Sequence, residues 1–286
     1  KEHVMSGLDA VTGVMGAGVD ELTLQAFAAC KGTCSGPLFI VASGPSARDF
    51  PLANYAQYPM FSVSGSIQLF TAASVAPLFY LCDDNSFAAQ RQPILRQGLA
   101  LAKNVALSPR VISITQGLSA AELAQTRLYA FNRVNRSIDG KQQLSDRRFA
   151  WKMRNDQDVS CDFSLFSQKP NRIGFSRDMD KGYFSCRTIP YAGLQLAHHL
   201  GFNQVILVGV DLDSSQGRFY EQGAAAMPSR LDGDYEDYIE PCFELMARRV
   251  VSPTFQVYNL SAKSRLPASL VPKITLDQLD ALLASA

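Results

Sequence analysis

Small and hydroxyl-bearing residues follow two apolar stretches of the sequence, and their types suit the binding of a phosphorylated ligand. Small side chains allow backbone amide groups to approach a phosphate closely, and a helix that begins there adds a favourable dipole. The two sets are Ser43-Gly44-Pro45-Ser46 and Ser64-Gly65-Ser66. The first set alone is more typical of a tight turn, so it indicates a phosphate site only with support from the rest of the sequence.

Carboxylates follow two further apolar stretches. Asp83 and Asp84 are adjacent, so in an extended segment their side chains point to opposite sides, and one of them is expected to face a ligand. Asp211 and Asp213 are two residues apart and are expected to share a side, which is the better geometry for two carboxylates. Turn formation and loop capping account for this second pair equally well.

Several familiar kinds of site lack their motifs in this sequence. There is no Gly-Lys-Ser/Thr phosphate loop, no G-x-G-x-x-G fingerprint and no G-x-S-x-G nucleophile elbow. The net charge of +1 argues against nucleic acid as a partner. The six cysteines and three histidines do not form a zinc pattern, so free buried thiols in a reducing compartment are expected. His198 and His199 are expected to interact favourably with the C-terminus of a helix rather than to catalyse.

The candidate residues lie at the ends of predicted strands that alternate with predicted helices. Strands that are apolar on both faces, separated by helices, predict an α/β fold: a Rossmann-like, mostly parallel sheet with helices on both faces. In such sheets ligands bind beyond the carboxyl ends of the strands, so the four sets are expected to converge there, within one domain over 1–286. Strands are predicted at 37–42, 60–63, 76–82, 110–114, 204–210 and 255–260, and helices at 18–30, 67–73, 86–102, 188–199 and 236–250.

Residues 127–154 break the alternation with a run of basic and aromatic side chains. Eight lysines and arginines stand there against only Asp139 and Asp146. The run predicts either a solvated helical face with aromatic anchors or an arm that meets an anionic partner such as phosphorylated lipid headgroups. It falls within 115–170, which we expect to be a lid or an acceptor-side insertion.

The sequence contains no run of about 18 apolar residues, so no transmembrane helix is predicted. The opening Lys1-Glu2-His3 lacks the basic-then-apolar pattern of a signal peptide. We therefore expect a cytoplasmic protein.

Taken in order, the candidate residues resemble those of a known family, the WaaZ-type lipopolysaccharide core enzymes. The resemblance covers residues 37–272, is densest in 174–230 and is loose in 115–170. Its first part comprises Ser43-Gly44-Pro45-Ser46, Val63-Ser64-Gly65-Ser66 and Tyr80-Leu81-Cys82-Asp83-Asp84 with Gln90-Arg91. Its second part comprises residues 174–178, 182–188, Gly209-Val210-Asp211-Leu212, 218–221, 227–229 and Tyr258-Asn259-Leu260-Ser261.

That family attaches an additional Kdo residue (3-deoxy-D-manno-octulosonic acid) to the lipopolysaccharide inner core, using CMP-Kdo. The resemblance thus implies a glycosyltransferase that binds a CMP-sugar donor and a lipid-linked core oligosaccharide, peripherally at the inner membrane and without nucleic acid. More distantly, the Gly-Pro-Ser loop, the helix start at Thr188 and the strand end Gly209-x-Asp211 are similar to bacterial sialyltransferases, which use CMP-sialate. The resemblance implies a sialyltransferase-like variant of the fold with an inserted basic helical segment. Ser64 stands where several relatives have a nucleotide-contacting Asn, and residues 232–240 hold no counterpart of the sialyltransferase histidine.

The resemblance also implies roles for individual residues. Arg187 and Thr188 would stabilise the departing phosphate, and Arg177 or Arg218 would pair with the carboxylate of the sugar. A carboxylate would act as the base of an inverting reaction. No essential metal or other cofactor is expected, although the adjacent carboxylates of Asp83 and Asp84 leave open the binding of a divalent ion. The candidate bases, in order of preference, are Asp84, Asp211, Glu221 and Asp83. The cytidine and ribose would be held by Ser43, Gly44, Pro45, Ser46, Ser64, Gly65 and Ser66.

Two alternative functions stay open at this point. One is a transferase for another CMP-activated ulosonic acid such as sialate. The other is a non-catalytic assembly factor that binds a nucleotide or a glycolipid, and the polar residues at all four strand ends weigh against it.

Overall fold

The computed structural model describes residues 22–136, 142–213, 215, 217–219 and 231–285, and its main feature is a parallel sheet of eight strands. The strands of this sheet are β1 Leu24–Gln25, β2 Pro37–Val41, β3 Met60–Val63, β4 Phe79–Cys82, β5 Asn104–Leu107, β6 Leu128–Ala130, β9 Gln204–Val208 and β10 Gln256–Asn259. Two further strands, β7 Val159–Cys161 and β8 Gly174–Ser176, form an antiparallel pair.

Helices follow most of these strands. They are α1 Ile67–Ala73, α2 Asn85–Gln90, α3 Gln92–Leu101, α4 Pro109–Ala124, α5 Asp146–Met153, α6 Ile189–Leu200, α7 Leu231–Asp234, α8 Glu240–Arg249 and α9 Leu276–Ala284. A π-helical turn, Tyr235–Ile239, joins α7 to α8. Short 3-10 helices include Phe27–Cys30, Pro45–Asp49, Leu52–Tyr55, Ser64–Ser66, Lys169–Arg172 and Met179–Lys181. None of the helices in this described part of the chain is long and apolar enough to cross a bilayer.

The sheet is buried on both faces, as its apolar strands predict. Leu38 and Ile40 of β2 belong to a core cluster that includes α6 and α8. Phe39 and Val41, which alternate with them, belong to a second cluster that includes α1 and α3. Since successive side chains of a strand point to opposite faces, the two clusters lie on opposite sides of the sheet. The predicted α/β class, with helices on both faces, is confirmed.

The strand order places a topological switch point beside β2. Across the sheet the order is β1-β6-β5-β4-β3-β2-β9-β10, and all neighbouring strands are parallel. From β2 the chain builds outward on one side to β6 and later returns to build β9 and β10 on the other side. The loops after β2 and β9 leave adjacent strand ends, which is where open parallel sheets form a ligand crevice.

The predicted strand at 110–114 is wrong, because these residues belong to α4. The hydroxyl of Ser108 accepts a hydrogen bond from the Val111 amide at 3.4 Å, and Pro109 occupies the first turn of the helix. Both features start a helix, and they outweigh the β-branched residues that suggested a strand. The strand that does lie here is β5, directly before Ser108.

Two predicted helices also differ in the structure. The described part of 18–30 forms β1 and a 3-10 helix, because Leu24 and Gln25 pair with Leu128 and Tyr129 at the sheet edge. The helix predicted over 86–102 is two helices, α2 and α3, which meet at Arg91. Pro93 lies in the first turn of α3 and has no amide hydrogen to continue α2.

The segment 115–170, expected as a lid or an insertion, divides into two parts. Residues 115–124 complete α4, and β6 is a full member of the sheet. Only after Ala130 does the chain leave the sheet, to build α5 and the antiparallel pair of β7 and β8 before it returns through α6. The inserted basic helix of the predicted fold is α5.

Cys186 and Cys242 are joined by a disulfide, so the expectation that all cysteines are free is wrong for this pair. The bond ties the residues just before α6 to α8. Sequence spacing gave no indication of it, since the two cysteines are 56 residues apart. Cys30, Cys34, Cys82 and Cys161 are free, and burial raises the pKa of the Cys82 and Cys161 thiols to about 12.

The two histidines at the end of α6 are part of the packing. The ring of His198 lies between Phe175 and Phe255, with centroid distances of 5.8 and 4.8 Å. His199 is buried, and its Nδ1 accepts a hydrogen bond from the Met179 amide at 3.1 Å. Burial, assisted by the nearby Arg177, lowers the pKa of His198 to about 4. A neutral His198 at pH 7 adds no charge to the helix end.

This pKa predicts acid sensitivity of the fold. The unfolded chain takes up a proton at this imidazole near pH 6.5, whereas the folded protein does so only near pH 4, so the free energy of unfolding falls as the pH drops through this window. The His198 contribution to the loss is about 3 kcal/mol. H198F, which keeps an aromatic ring beside Phe175 and Phe255, is expected to flatten this dependence. Urea unfolding at pH 7 and pH 4 measures the loss of unfolding free energy between the two pH values. An equal loss in H198F and in the parent protein would contradict the prediction.

Candidate functional site

The Gly-Pro-Ser loop and the loop after β9 are in direct contact at the switch point. The Gly44 amide donates to the Gly209 carbonyl at 2.9 Å, and the Ser46 amide donates to the Asp211 carboxylate at 2.9 Å. A β-carbon on Gly44 would collide with both the Gly209 carbonyl and the Asp211 carboxylate. Gly209 adopts a φ of +69°, which favours glycine. The two predicted loops therefore meet backbone to backbone.

Asp211 anchors three loops at this point. Its carboxylate accepts hydrogen bonds from the Ser46 amide, from the Ser46 hydroxyl at 2.5 Å and from the Ser261 hydroxyl. Ser261 belongs to the loop after β10, and Asp211 is 5% exposed. With both oxygens already accepting bonds from the protein, Asp211 is suited to positioning these loops rather than to accepting a proton.

The extended backbone from which Asp211 and Asp213 were predicted to share a side is not present. Leu212 between them has a φ of +55°, so the backbone is not extended and the alternation rule does not hold. Asp213 accepts hydrogen bonds from the amide and the hydroxyl of Ser215, in its own loop.

The Gly-Pro-Ser loop forms a wall of the crevice rather than a cradle of amides. The amides of Gly44 and Ser46 are already bonded to Gly209 and Asp211, and Pro45 has no amide hydrogen. The Ser43 side chain is half-buried, and its carbonyl accepts from the Phe219 amide at 3.1 Å. Gly44, Pro45 and Ser46 therefore have no free amide for a phosphate, and a phosphate would bind better at another part of this edge.

The neighbouring Ser64-Gly65-Ser66 loop divides into structural and accessible residues. Ser66 is fully buried, where its hydroxyl donates to the Val41 carbonyl at 2.7 Å and accepts from the Val63 amide at 2.9 Å. It thereby links the ends of β2 and β3. Gly65 is buried as well. Ser64, half-buried with a φ of +49°, is left as the residue of this set that can meet a ligand.

Asp83 and Asp84 point in different directions from the end of β4. Asp84 caps α2 and accepts from the Phe87 amide at 3.0 Å through Oδ1. Within the described residues, its Oδ2 has no hydrogen bond, and the side chain is half-buried. Asp84 therefore keeps a carboxylate oxygen available at this edge.

Asp83 is engaged by two residues from distant parts of the chain. Arg133 approaches its Oδ2 through Nε at 2.8 Å and Nη2 at 2.6 Å, and the Tyr183 hydroxyl donates to the same oxygen. Burial and the adjacent Asp83 raise the pKa of Tyr183 well above its usual value, so this hydroxyl stays a donor. The cluster ties the segments after β6 and before α6 to the end of β4.

The start of α6 supplies a second polar feature of the same edge. Thr188 is its N-cap residue, and Cys186 and Arg187 before it both have a left-handed φ, +40° and +59°. The Arg187 side chain is 45% exposed, with Nε 3.9 Å from the Asp234 carboxylate and its guanidinium carbon 5.2 Å from the Tyr238 ring centroid. A helix N-terminus beside an accessible guanidinium is suited to an anion such as phosphate.

Arg177 does not lie at this edge. Its guanidinium bonds the Ser160 hydroxyl and the Arg249 carbonyl, both at 3.0 Å, and it is close enough to His198 to affect the pKa of that imidazole. His198 is at the carboxyl end of α6, which leads to the amino ends of β2 and β9. The structure therefore does not support Arg177 as a partner of the sugar carboxylate.

The remaining candidates are Arg218 and Glu221. Arg218 is half-buried and precedes Phe219, whose amide bonds the Ser43 carbonyl, so it lies beside the Gly-Pro-Ser loop. Glu221 lies outside the described residues. In the described ranges, no group of three His, Cys, Asp or Glu side chains is arranged to hold a metal ion.

Three residues at the site were not singled out as site residues from the sequence alone. Ser261 stands in a matching motif, but nothing in the sequence indicates that it meets Asp211, 50 residues away. Arg133 was included only in the basic run, although it pairs with Asp83, also 50 residues away. Tyr183 lies 100 residues from Asp83, and its neighbours in sequence give no signal of the contact.

Known proteins resemble this chain over most of its length. A family model described as 3-deoxy-D-manno-octulosonic acid transferase WaaZ matches residues 26–277. A probable 3-deoxy-manno-octulosonic acid transferase of Escherichia coli K12 is 26% identical over 247 residues, covering 86% of this chain and 85% of that protein. The protein with the same description from Salmonella typhimurium LT2 is 27% identical over 244 residues, covering 84% of this chain and 87% of the relative.

Solved structures show more distant likeness. The MAf glycosyltransferase from Magnetospirillum magneticum AMB-1 has a TM-score of 0.46 at 15% identity, over 93% of this chain but only 37% of that one. The sialyltransferase CstII from Campylobacter jejuni, in complex with the substrate analogue CMP-3FNeuAc, has a TM-score of 0.43 at 11% identity, over 82% of this chain and 84% of its own.

Proposed function

Because this chain belongs to the family of 3-deoxy-D-manno-octulosonic acid transferases WaaZ, we propose that it moves a Kdo residue from CMP-Kdo to the inner core of lipopolysaccharide. The observation that carries the proposal is the junction at the switch point. There, Asp211 holds the Gly-Pro-Ser loop against the ends of β9 and β10, beside the accessible Ser64 and Asp84.

The Gly-Pro-Ser loop is proposed to bind the nucleoside of the donor. Its amides are already bonded to Gly209 and Asp211, so it offers a rigid wall and the Ser43 hydroxyl rather than a phosphate cradle. Ser64 at the next strand end would contact the ribose or base, while Gly65 and Ser66 hold the loop in place.

The leaving phosphate of CMP is proposed to lie at the start of α6. Negative charge grows on this phosphate as the glycosidic bond breaks, and the helix dipole, the Thr188 hydroxyl and Arg187 would stabilise it. Arg187 is accessible, and among the described residues its one carboxylate neighbour is Asp234, at 3.9 Å. It can therefore pair with a ligand without losing a strong ion pair.

Asp84 is proposed as the base that takes the proton from the acceptor hydroxyl. Within the described residues its carboxylate accepts only the Phe87 amide, whereas both oxygens of Asp211 accept bonds and Asp83 is held in an ion pair with Arg133 and bonded by the Tyr183 hydroxyl. Glu221 remains the next candidate. A single base suffices for an inverting displacement.

Arg218, beside Ser43, is proposed to pair with the carboxylate of the ulosonic acid, since Arg177 lies at the opposite edge of the sheet. The acceptor is proposed to be lipid-linked core oligosaccharide at the cytoplasmic face of the inner membrane. No essential metal is part of this proposal.

Calorimetric titration tests the donor assignment. We expect CMP to bind at least about tenfold more tightly than UMP, because the pyrimidine edge differs in its hydrogen-bonding groups. R187A is expected to weaken CMP but not cytidine, since Arg187 would meet the phosphate. R110A, which removes an exposed arginine from the start of α4, is the matched control.

The second stage measures CMP release with CMP-Kdo and a core acceptor, against CMP-sialate with the same acceptor. Preference for UMP over CMP would contradict the proposed donor class. Faster release from CMP-sialate would favour a sialate transferase, and CMP binding without turnover of either donor would favour the assembly factor.

A further inference from the structure

Three large apolar side chains project together from the segment between β6 and α6. Trp151 on α5 is 52% exposed, and Leu165 and Phe166, in the loop between β7 and β8, are 60% and 98% exposed. The Trp151 ring lies 5.2 Å from that of Phe163 at the base of the same loop. Monomeric soluble proteins rarely gather such residues without a partner for them.

The loop that carries Leu165 and Phe166 is held in a defined conformation. Asn171, which is 2% exposed, donates to the Ser164 and Ser167 carbonyls at 3.0 and 2.7 Å and accepts from the Ser164 amide at 2.9 Å. The Ser164 hydroxyl accepts from the amides of Phe166 and Ser167. These hydrogen bonds thus fix the loop conformation in which the two apolar side chains point outward.

Cations surround the apolar residues. Arg147 and Arg148 on α5, and Arg154 at its C-cap, lie three or four positions from Trp151, so they share its side of the helix. The Arg154 guanidinium lies 3.5 Å from the centroid of the Trp151 ring. Among the residues that the structure describes, Arg147, Arg148 and Lys152 form no ion pair.

The carboxylates close to this patch are already engaged by other cations. Asp146 pairs with Arg172 at 2.7 Å, and Asp162 pairs with Arg248 and Arg249 at 3.3 and 3.1 Å. Within the part of the chain that the structure describes, the positive charge around Trp151 has no carboxylate left to pair with.

We propose that these residues, here called the aromatic-basic patch (Arg147, Arg148, Trp151, Lys152, Arg154, Leu165 and Phe166), dock on an anionic lipid bilayer. Leu165, Phe166 and Trp151 enter the interfacial region, and the surrounding cations meet lipid phosphates. A projecting apolar tip ringed by lysine and arginine matches this environment, in which aromatic residues favour the interface and cations favour anionic headgroups.

Docking at this patch orients the rest of the molecule. The Tyr191 hydroxyl, in the first turn of α6, reaches the Gly174 carbonyl at 3.1 Å, so β8 begins on the side of the sheet where α6 begins. The loop from β7 to β8 therefore lies on the same side as the switch point. A bilayer bound there faces the edge that carries Ser64, Asp84 and Arg187. The docking itself does not depend on the transferase activity.

The only tryptophan of the chain, Trp151, reports on the docking directly. Vesicles of phosphatidylglycerol and phosphatidylethanolamine are expected to shift its emission to shorter wavelengths, and phosphatidylcholine vesicles are not. The partition coefficient from co-sedimentation is expected to fall about tenfold between low and high salt, because the cations contribute by screened electrostatics.

Two substituted proteins separate the apolar and the charged contributions. L165S/F166S is expected to lower partitioning about tenfold and to abolish the emission shift, and R147Q/R148Q to lower partitioning about tenfold at low salt only. The matched controls are L118S, which alters a leucine that is 49% exposed on α4, and R110Q. All substituted side chains are exposed, so circular dichroism is expected to report unchanged folding.

Three results would overturn the proposal. One is the absence of binding to the anionic vesicles at low salt. Another is binding that L165S/F166S and R147Q/R148Q leave unchanged. The third is a concentration-dependent dimer that L165S/F166S dissociates in the absence of vesicle binding, which would mean that the patch meets a second copy of the chain.

Discussion

Replacement of Asp84 by asparagine is expected to lower kcat for CMP-Kdo by about 100- to 10,000-fold, the usual contribution of a positioned general base. Asparagine cannot accept the proton of an acceptor hydroxyl. It still caps helices well, so the bond from the Phe87 amide that starts α2 is expected to persist. The affinity for CMP, measured by calorimetry, is expected to be unchanged, because the base meets the acceptor and not the nucleotide.

The design separates the role of Asp84 in catalysis from its role as a helix cap. D277N changes an exposed carboxylate in the first turn of α9 and serves as the isosteric control, with parental kcat. A D84N protein that turned over CMP-Kdo at the parental rate would remove Asp84 as the base. Glu221 would then become the first carboxylate to replace.

Replacement of Asp211 by asparagine is expected to weaken both the fold and the binding of CMP. The carboxylate accepts from the Ser46 amide and from the hydroxyls of Ser46 and Ser261, whereas asparagine presents one acceptor and one donor group to these three donors. Loss of a buried charge-assisted bond costs about 2 kcal/mol of unfolding free energy. The displaced Gly-Pro-Ser loop is expected to raise the Kd for CMP about ten- to hundredfold.

Urea unfolding and calorimetry measure the two effects in one preparation. S261A removes one of the three donors and is expected to cost about 1 kcal/mol with little change in CMP affinity. D49N, an exposed carboxylate at the end of the 3-10 helix that contains Ser46, controls for charge near the loop. Parental stability and parental Kd in D211N would contradict the anchoring role of Asp211.

The prediction of the fold succeeded where a local pattern had one physical meaning. Continuous apolar stretches at β2, β3, β4 and β9 predicted strands buried on both faces, since such stretches are stable only between two layers of helices. The start of α6 at Thr188 and its end before Gly201 were predicted from capping residues. The stretch 110–114 failed because its β-branched residues suit either a strand or a helix, and the cap at Ser108 decided between them.

The place of the candidate residues in the fold was easier to predict than their contacts, and their roles stay predictions. The four polar sets were expected at the carboxyl ends of the strands because parallel topology brings those ends together. The individual partners were not predictable. The side chain of Asp211 had to be assigned to a loop partner 165 residues before it and another 50 residues after it. Arg177 was expected at the site, but the antiparallel turn of β7 and β8 takes it to the opposite edge.

The sequence by itself determined the layered α/β fold, the strand ends that carry the polar residues and the family resemblance, because each of these depends on residues close together in the chain. Only the tertiary structure decided which carboxylates are engaged by other side chains. Among the described residues, Asp211 accepts bonds from Ser46 and Ser261, Asp83 from Arg133 and Tyr183, and Asp84 only from the backbone amide of Phe87. The physical reason is that a hydrogen bond depends on distance in space, and distances across a sheet are set by strand order rather than by spacing along the chain.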